Sequence, residues 1–465
     1  MLSPEKAGQL RTFLGSLSGH IAARLAKAVE VDRLTGGDLL PHGFILDSLR
    51  PALRQVRDVE RTPSPLRIFC QPFADLLVTN PERREKRRGR IARESVVPVW
   101  TWIGETLLPE ASEAYSAAVT EAVLSYRPDA LKARAAQFWT EASLALRTAI
   151  AGDAKDARRV LGSDLAVADA NEMAILLAAG PEIAEVQDKL PRGTHQLNDD
   201  MVWALRAIYD RLVQAQPDAA PYIAVVAMNR LDRPWEALKL PQQVTRQTSD
   251  TLMSSTDMGL AGEVLLGDLD EHTAAIKVTR HPNFEEDELA RHVAAFAKLS
   301  TGLTHQVELR RHGTWHQRLM KDRGAVADVM DGLMERAPRE IIAMLPVHKT
   351  GSYGGGPKAP DIARAPDPDK TARGMRYAKL LTACASSAAD ASFGTSQKDA
   401  YAEACVHLKG YSDDIVREVR AAEGTARVHA EQYFNLAVAL TEILFSAEEA
   451  DFLRRRGRAA LANAA

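Results

Sequence analysis

The sequence is poor in cysteine and in aromatic residues, and neither sign of charge dominates it. Its 465 residues include three cysteines, 6% aromatic residues and a formal net charge of −3. Cys70, Cys384 and Cys405 are far apart or at unpatterned spacings, without a C-x-x-C pair, so we predict free thiols in a reducing compartment. Nucleic-acid-binding proteins usually carry a basic excess, and the charge of the whole chain gives no support to that class.

Long apolar runs are also missing. No stretch reaches the roughly 18 uninterrupted apolar residues that a membrane-spanning helix needs. The segment Met1–Arg11 is polar and lacks the apolar core of a secretory signal. We therefore expect a soluble cytoplasmic protein. With 46% hydrophobic residues, the chain resembles ordinary globular proteins in composition.

The signatures of common enzyme classes are missing as well. There is no G-x-S-x-G, kinase set, P-loop or dinucleotide-binding fingerprint. Lys349-Thr350-Gly351 matches the K-T-G element of penicillin-binding enzymes, and Ser3–Lys6 matches S-x-x-K. The first lies in a segment rich in glycine and proline, and the second lies at the N-terminal end, so we interpret both as chance matches. We predict no cofactor.

Helical periodicity runs through most of the chain. Apolar residues recur at helical spacing between Pro128 and Gly152, which are typical first and last residues of a helix. The short apolar run Tyr222–Met228 has no hairpin partner and is predicted to be a buried helix. Ser446 and Glu449 form a capping-box pattern that predicts a short terminal helix. The fold class that follows is all-α, a multi-helix bundle with little or no β structure.

A heptad pattern near the C-terminus predicts one long helix that packs along a single stripe. Its partner is either the helix predicted around Met375–Ala391 in the same chain or the same stripe in a second copy, which would form a coiled-coil homodimer. The intramolecular partner is favoured, because alanine and histidine weaken an isolated coiled coil. The stripe residues are Ile415, Val419, Ala422, Ala426, His429, Tyr433, Leu436, Leu440 and Ile443.

Glycine and proline residues indicate where the domain boundaries lie. The segment 347–370 is rich in both and has no periodicity, so we predict a flexible linker there. It separates a C-terminal helical unit, 371–465, from the preceding chain. A softer boundary near Gly152 divides the preceding chain into an N-terminal helical region, 1–152, and a central helical region, 153–346.

A basic run, Glu82–Arg93, is the strongest local concentration of charge. Such runs are usually solvated surface, and this is the interpretation that we favour. The alternative is that the run contacts RNA or another polyanion. Trp100 and Trp102 lie two positions apart and would not form one stacking platform on a helix. The residues of the run that could contact a polyanion are Arg83, Arg84, Lys86, Arg87, Arg88 and Arg90.

Histidines concentrate between positions 281 and 316. His305, Glu308 and His312 would share one face of a continuous helix and could present ligands to a metal or groups for acid–base chemistry. Because the established metal-ligand spacings are absent, we predict no metal site. The histidines of this group are His281, His292, His305, His312 and His316.

Taken together, these features favour a helical protein-interaction protein, such as a scaffold, an adaptor or a regulatory subunit. Two alternatives stay open. One is an enzyme with an unfamiliar helical active site around His305, Glu308 and His312. The other is a nucleic-acid or polyanion binder that uses Arg83–Arg93.

Overall fold

The computed structural model describes residues 4–34, 41–53, 63–79, 85–125, 127–279, 283–349 and 358–462. Within these ranges the chain forms 21 α-helices and two small sheets, so the predicted all-α class is confirmed. No helix in these ranges has both the length and the apolar character needed to cross a membrane.

The α-helices account for most of the described chain. In chain order they are α1 (Pro4–Gly15), α2 (Gly19–Leu34), α3 (His42–Leu53), α4 (Pro65–Cys70), α5 (Val96–Trp102), α6 (Pro109–Leu124), α7 (Pro128–Gly152), α8 (Ala154–Leu161), α9 (Asp164–Ala178), α10 (Gly180–Lys189), α11 (Asp199–Ala215), α12 (Tyr222–Met228), α13 (Lys239–Thr245), α14 (Asp250–Met253), α15 (Leu260–Lys277), α16 (Glu286–Gln306), α17 (Thr314–Met344), α18 (Pro368–Ala383), α19 (Gly394–Ala421), α20 (Gly424–Leu444) and α21 (Ala447–Ala462).

Short irregular elements connect these helices. Strand β1 (Leu77–Val78) pairs in parallel with β2 (Ile91–Ala92), and β3 (Val347–Lys349) pairs antiparallel with β4 (Lys358–Pro360). A π-helix follows α5 at Ile103–Leu107. The 3₁₀-helices are Gln71–Leu76, Arg93–Ser95, Pro234–Leu238 and Asp257–Gly259.

Local sequence signals account for several helix boundaries. The α7 helix begins at Pro128 and ends at Gly152, as the sequence predicts, and the run Tyr222–Met228 is the buried helix α12. The Ser446 hydroxyl accepts a hydrogen bond from the Glu449 amide at 3.2 Å, which confirms the predicted cap of α21. Side chains that accept backbone amides at a helix start satisfy donors that the helix itself leaves unpaired.

The chain divides into two compact units. The first comprises Met1–Arg192 and Trp203–Arg230, and the second comprises Gly193–Val202 and Leu231–Ala465. No boundary of these units coincides with residues 152, 346 or 370. The described ends of the predicted 347–370 linker are ordered as β3, β4 and the first turn of α18, and residues 350–357 lie outside the described residues.

Aromatic side chains from the four helices α4, α5, α6 and α7 form a core in the first unit. The rings of Tyr115 and Phe138 are stacked with their centroids 4.1 Å apart. Trp100 lies 4.9 Å from Phe69 by ring centroids and makes edge contacts with the stacked pair. A separate small core of α1, α2 and α3 is formed by Leu14, Ala22, Ala26, Leu49, Ala52 and Leu53.

The heptad stripe does not lie on one long helix. The chain leaves helical geometry at Ala422 and Glu423, and α20 begins at Gly424, whose positive φ of 60° favours glycine. The stripe is therefore divided between α19 and α20, which pack against each other, and α20 also contacts α18 in the same chain. His429 Nδ1 donates to the Ile362 carbonyl at 3.0 Å, so this histidine is hydrogen-bonded to a neighbour.

Candidate functional site

The described part of the basic run lies against α9 in the first unit. Arg83 and Arg84 lie outside the described residues. The Lys86 ammonium donates to the Arg90 carbonyl at 2.7 Å, to Asp169 Oδ1 at 2.7 Å and to Glu172 Oε2. An ammonium has three donors, so Lys86 uses all of them within the fold. The prediction that the run is a solvated face is wrong at Lys86, whose side chain is 20% exposed.

The two carboxylates that accept from Lys86 form a buried group with it. We call this group, Asp169 and Glu172 with Lys86, the α9 carboxylate cluster. The two carboxylates lie three residues apart on one face of α9, and both side chains are almost fully buried. Asp169 Oδ2 accepts from the Ser95 hydroxyl at 2.7 Å and from the Ala92 amide at 3.3 Å. Both oxygens of Asp169 are therefore used within the fold.

The Glu172 carboxylate also accepts hydrogen bonds from groups other than Lys86. Its Oε1 accepts from the Gly89 amide and from the Tyr222 hydroxyl, each at 2.6 Å. Burial and the Glu172 carboxylate raise the pKa of Tyr222, so the phenol keeps the proton that it donates. The Arg88 guanidinium lies 5.3 Å from the centre of the Tyr222 ring. The cluster thus joins the basic segment, α9 and α12.

A second buried carboxylate, Asp75, joins other elements of the first unit. Arg230 Nη1 donates to both of its oxygens, at 3.2 and 3.0 Å. Arg192 donates to Oδ1 through Nε and Nη2, and Gln187 Nε2 donates to Oδ2 at 3.0 Å. Charge-assisted bonds of this kind are stronger than neutral ones. Asp75 therefore fixes the C-terminal end of α10 against the 3₁₀-helix Gln71–Leu76.

The predicted face of His305, Glu308 and His312 does not exist. The α16 helix ends at Gln306, and Val307 is extended, with φ −124° and ψ 137°. His305 lies in the last turn of α16, Glu308 forms an isolated β-bridge with Ser249, and His312 lies in the turn before α17. His316 is on α17, and His281 lies outside the described residues.

A different histidine pair forms in the second unit. His272 on α15 and His292 on α16 approach with their Nδ1 atoms 3.0 Å apart. Burial, together with the neighbouring His292, lowers the pKa of His272. His272 lies outside the histidine group predicted between positions 281 and 316, although Asp268/His272 and Glu288/His292 repeat an acid–histidine spacing of four residues on two successive helices. Among the described residues, no group of three or more histidine, cysteine or acidic side chains is arranged to hold a metal ion.

Acidic side chains also meet between α15 and α17. Arg318 donates to Asp270 Oδ1 at 3.3 Å and to Glu263 Oε2 at 2.9 Å, and it also forms an ion pair with Asp270 Oδ2. Burial, with the Asp270 carboxylate beside it, raises the pKa of Asp322 from its ordinary value of 3.8 to about 6. Asp322 therefore changes charge closer to neutral pH than a solvated aspartate does.

An open cleft of about 500 Å³ lies between α7 and α10 in the first unit. We call it the α7/α10 cleft. The lining residues from α7 and α10 recur at spacings of three and four, so each of these walls is a stripe of one helix. Most of the lining is small or apolar. The small and apolar lining residues include Ile68, Leu131, Ala135, Ala136, Trp139 and Ala184.

Close packing and charge define the base and rim of the α7/α10 cleft. Trp139 is 3% exposed and donates its indole N–H to the Ile68 carbonyl at 3.1 Å. A Cβ atom at Gly180 would lie 2.4 Å from the Trp139 ring, so a larger residue at this position would displace the indole. At the rim, Lys132 on α7 pairs with Asp188 on α10 at 2.9 Å, and both side chains are exposed.

Comparison with known proteins identifies no relative: no family model, no curated protein and no solved structure gives a significant match to this chain.

The α9 carboxylate cluster generates a stability prediction. The substitution Lys86→Met removes the cation that two buried carboxylates share, and breaking a buried ion pair in this way should lower the free energy of unfolding by about 3–5 kcal/mol. Urea denaturation followed by circular dichroism measures the change. Lys132→Met is the matched control, because its ion pair is exposed, and the free energy of unfolding should stay close to that of the parent. Equal effects of the two substitutions would contradict the prediction.

Asp322 generates a pH prediction. Because it keeps its proton to about pH 6 in the folded chain, rather than to 3.8, the folded state binds more protons than the unfolded state between these values. The contribution of Asp322 to the free energy of unfolding should therefore fall as the pH rises through this window. Asp322→Asn should gain stability relative to the parent as the pH rises in urea denaturation series. A difference between the two proteins that does not vary with pH would contradict the assignment.

Proposed function

We propose that this chain is a protein-interaction protein, acting as a scaffold, an adaptor or a regulatory subunit, and that it binds an amphipathic helix of another protein in the α7/α10 cleft. The observation that carries the proposal is the form of this cleft, which presents two helix stripes to solvent with an apolar base. Binding of an apolar helix face in a groove between helices is a recurrent mode of peptide recognition.

The small residues of the walls favour a helix as the occupant. Ala135 and Ala136 on α7 face the cleft together with Ala184 on α10. Side chains of this size allow a third helix to approach closely, and large apolar side chains of that helix can fill the space above Trp139. Packing of this kind sets rows of one helix between rows of its neighbours.

The charged residues at the rim of the cleft favour a particular charge pattern on the partner helix. The α10 edge carries Glu185 and Asp188, whereas the α7 edge carries Lys132. We infer a partner helix with basic residues facing α10 and an acidic residue facing α7. The exposed Lys132–Asp188 pair is no obstacle to binding, because exposed ion pairs contribute little stability and can exchange partners.

The alternatives receive less support. The residues of the helical active-site alternative, His305, Glu308 and His312, are exposed and do not share a helix face. For polyanion binding, Lys86 has no donor left. A cytoplasmic location is part of the proposal and is supported by three free cysteines, of which Cys384 and Cys405 are buried.

A cross-linking experiment with a defined follow-up tests this function. A photo-reactive amino acid is placed at position 184 in the cleft, and the cross-linked partner segment is synthesised as a labelled peptide. We expect this peptide to bind the purified full chain and to become helical on binding, as measured by fluorescence anisotropy and circular dichroism. Ala136→Trp should fill the cleft and weaken binding at least about tenfold, or about 1.4 kcal/mol.

The matched control is Thr140→Trp, which adds the same indole one turn further along α7 at an exposed position outside the cleft. This variant should bind the peptide as the parent does. The proposal is contradicted if position 184 captures no discrete protein segment, if the peptide binds in an extended form, or if the two tryptophan variants bind it equally well.

A further inference from the structure

His272 and His292 bring their Nδ1 atoms to a distance that suits a hydrogen bond and also suits two ligands of one metal ion. The two Nδ1 atoms lie 3.0 Å apart, with the ring planes tilted by 58°. In the hydrogen-bonded pair, one Nδ1 carries the proton and the other accepts it, since a neutral imidazole has one donor and one acceptor nitrogen. The same two atoms face each other whether a proton or a metal ion lies between them.

The separation fits a metal ion. Metal–nitrogen bonds of about 2.0–2.1 Å place adjacent ligand atoms about 2.9 Å apart at a right angle and about 3.3 Å apart in a tetrahedron. The observed 3.0 Å lies between these two values, so a small ring rotation is enough to reach either geometry. The two rings also come from α15 and α16, which pack against each other.

We propose that His272 and His292 bind one divalent transition-metal ion, such as Zn²⁺, Ni²⁺ or Cu²⁺, through their Nδ1 atoms. Neutral imidazole is the ligand form, and these three ions accept it well. Within the described ranges no third protein ligand is in place, and water is available to complete the coordination of the ion. A site with two protein ligands binds an ion more weakly than a structural zinc centre with four.

Two features of the surroundings support this assignment. Glu288 Oε1 lies 4.0 Å from His292 Nε2, which is the ring nitrogen that does not face His272. Outer carboxylates that hydrogen-bond this second nitrogen orient metal-binding histidines, and a small movement of the Glu288 side chain would bring it within that distance. His292 also lines a cleft of about 220 Å³, and its side chain is 29% exposed, so that an ion and its water ligands have access.

Calorimetric titration of the purified full chain with ZnCl₂, NiCl₂ or CuCl₂ tests the proposal. We expect a one-to-one binding event that weakens at least about tenfold in His272→Ala and in His292→Ala. His195→Ala is the control, because His195 is also in the second unit but its side chain is 71% exposed and it pairs with Asp232 instead. This control should keep the event unchanged.

A measurement on the unaltered chain keeps the proposal testable if the alanine variants fail to fold. In protein labelled with ¹⁵N-histidine, saturating Zn²⁺ should shift the Nδ1 resonances of two imidazoles, while their Nε2 resonances keep the pattern of a protonated nitrogen. The proposal is overturned if no one-to-one event occurs, if both alanine variants retain it, or if Zn²⁺ shifts only Nε2 resonances.

Discussion

The first unit depends on the ion pairing of Lys86 with Asp169 and Glu172. Two carboxylates that are almost fully buried on one helix would repel each other strongly in a medium of low dielectric. One ammonium between them, with four further donors from backbone and side chains, makes their burial tolerable. Because these donors come from separate segments, satisfying the charges also fixes the positions of β2 and α12 on α9.

The α7/α10 cleft rests on similar constraints. Asp75 binds the C-terminal end of α10 through Gln187 and Arg192. At the other end of α10, Gly180 lets Trp139 lie directly against the helix. These two contacts fix the position of α10 relative to α7 and to the 3₁₀-helix Gln71–Leu76. The surface that we propose for partner binding is therefore held by side chains that themselves lie outside the exposed rim.

The features that could be predicted from the sequence are those that depend on neighbouring residues in the chain. The periodic helix from Pro128 to Gly152 and the helical class follow from spacing, proline and glycine positions, which act within a few residues. The division of the heptad stripe between two helices was not predicted, because a single glycine among helix-forming residues does not indicate that the helix ends there. Only the geometry at Gly424 shows that α19 and α20 are separate.

The candidate sites were harder to predict because their partners are distant in sequence. Lys86 meets acceptors 83 and 86 residues away, and His272 meets His292 across 20 residues. A run of basic residues looks solvated when its buried counter-charges are unknown. No pattern near α7 indicates a cleft, because the opposite wall comes from α10. Such sites follow from tertiary packing, which periodicity alone does not determine.

The most direct test of this account is hydrogen exchange, followed by mass spectrometry, in the parent and in Lys86→Met. If the α9 carboxylate cluster joins three segments, loss of the ammonium should increase exchange together in residues 85–92, in α9 and in α12, because their opening is coupled. An increase confined to residues 85–92, with α9 and α12 exchanging as in the parent, would contradict the central claim.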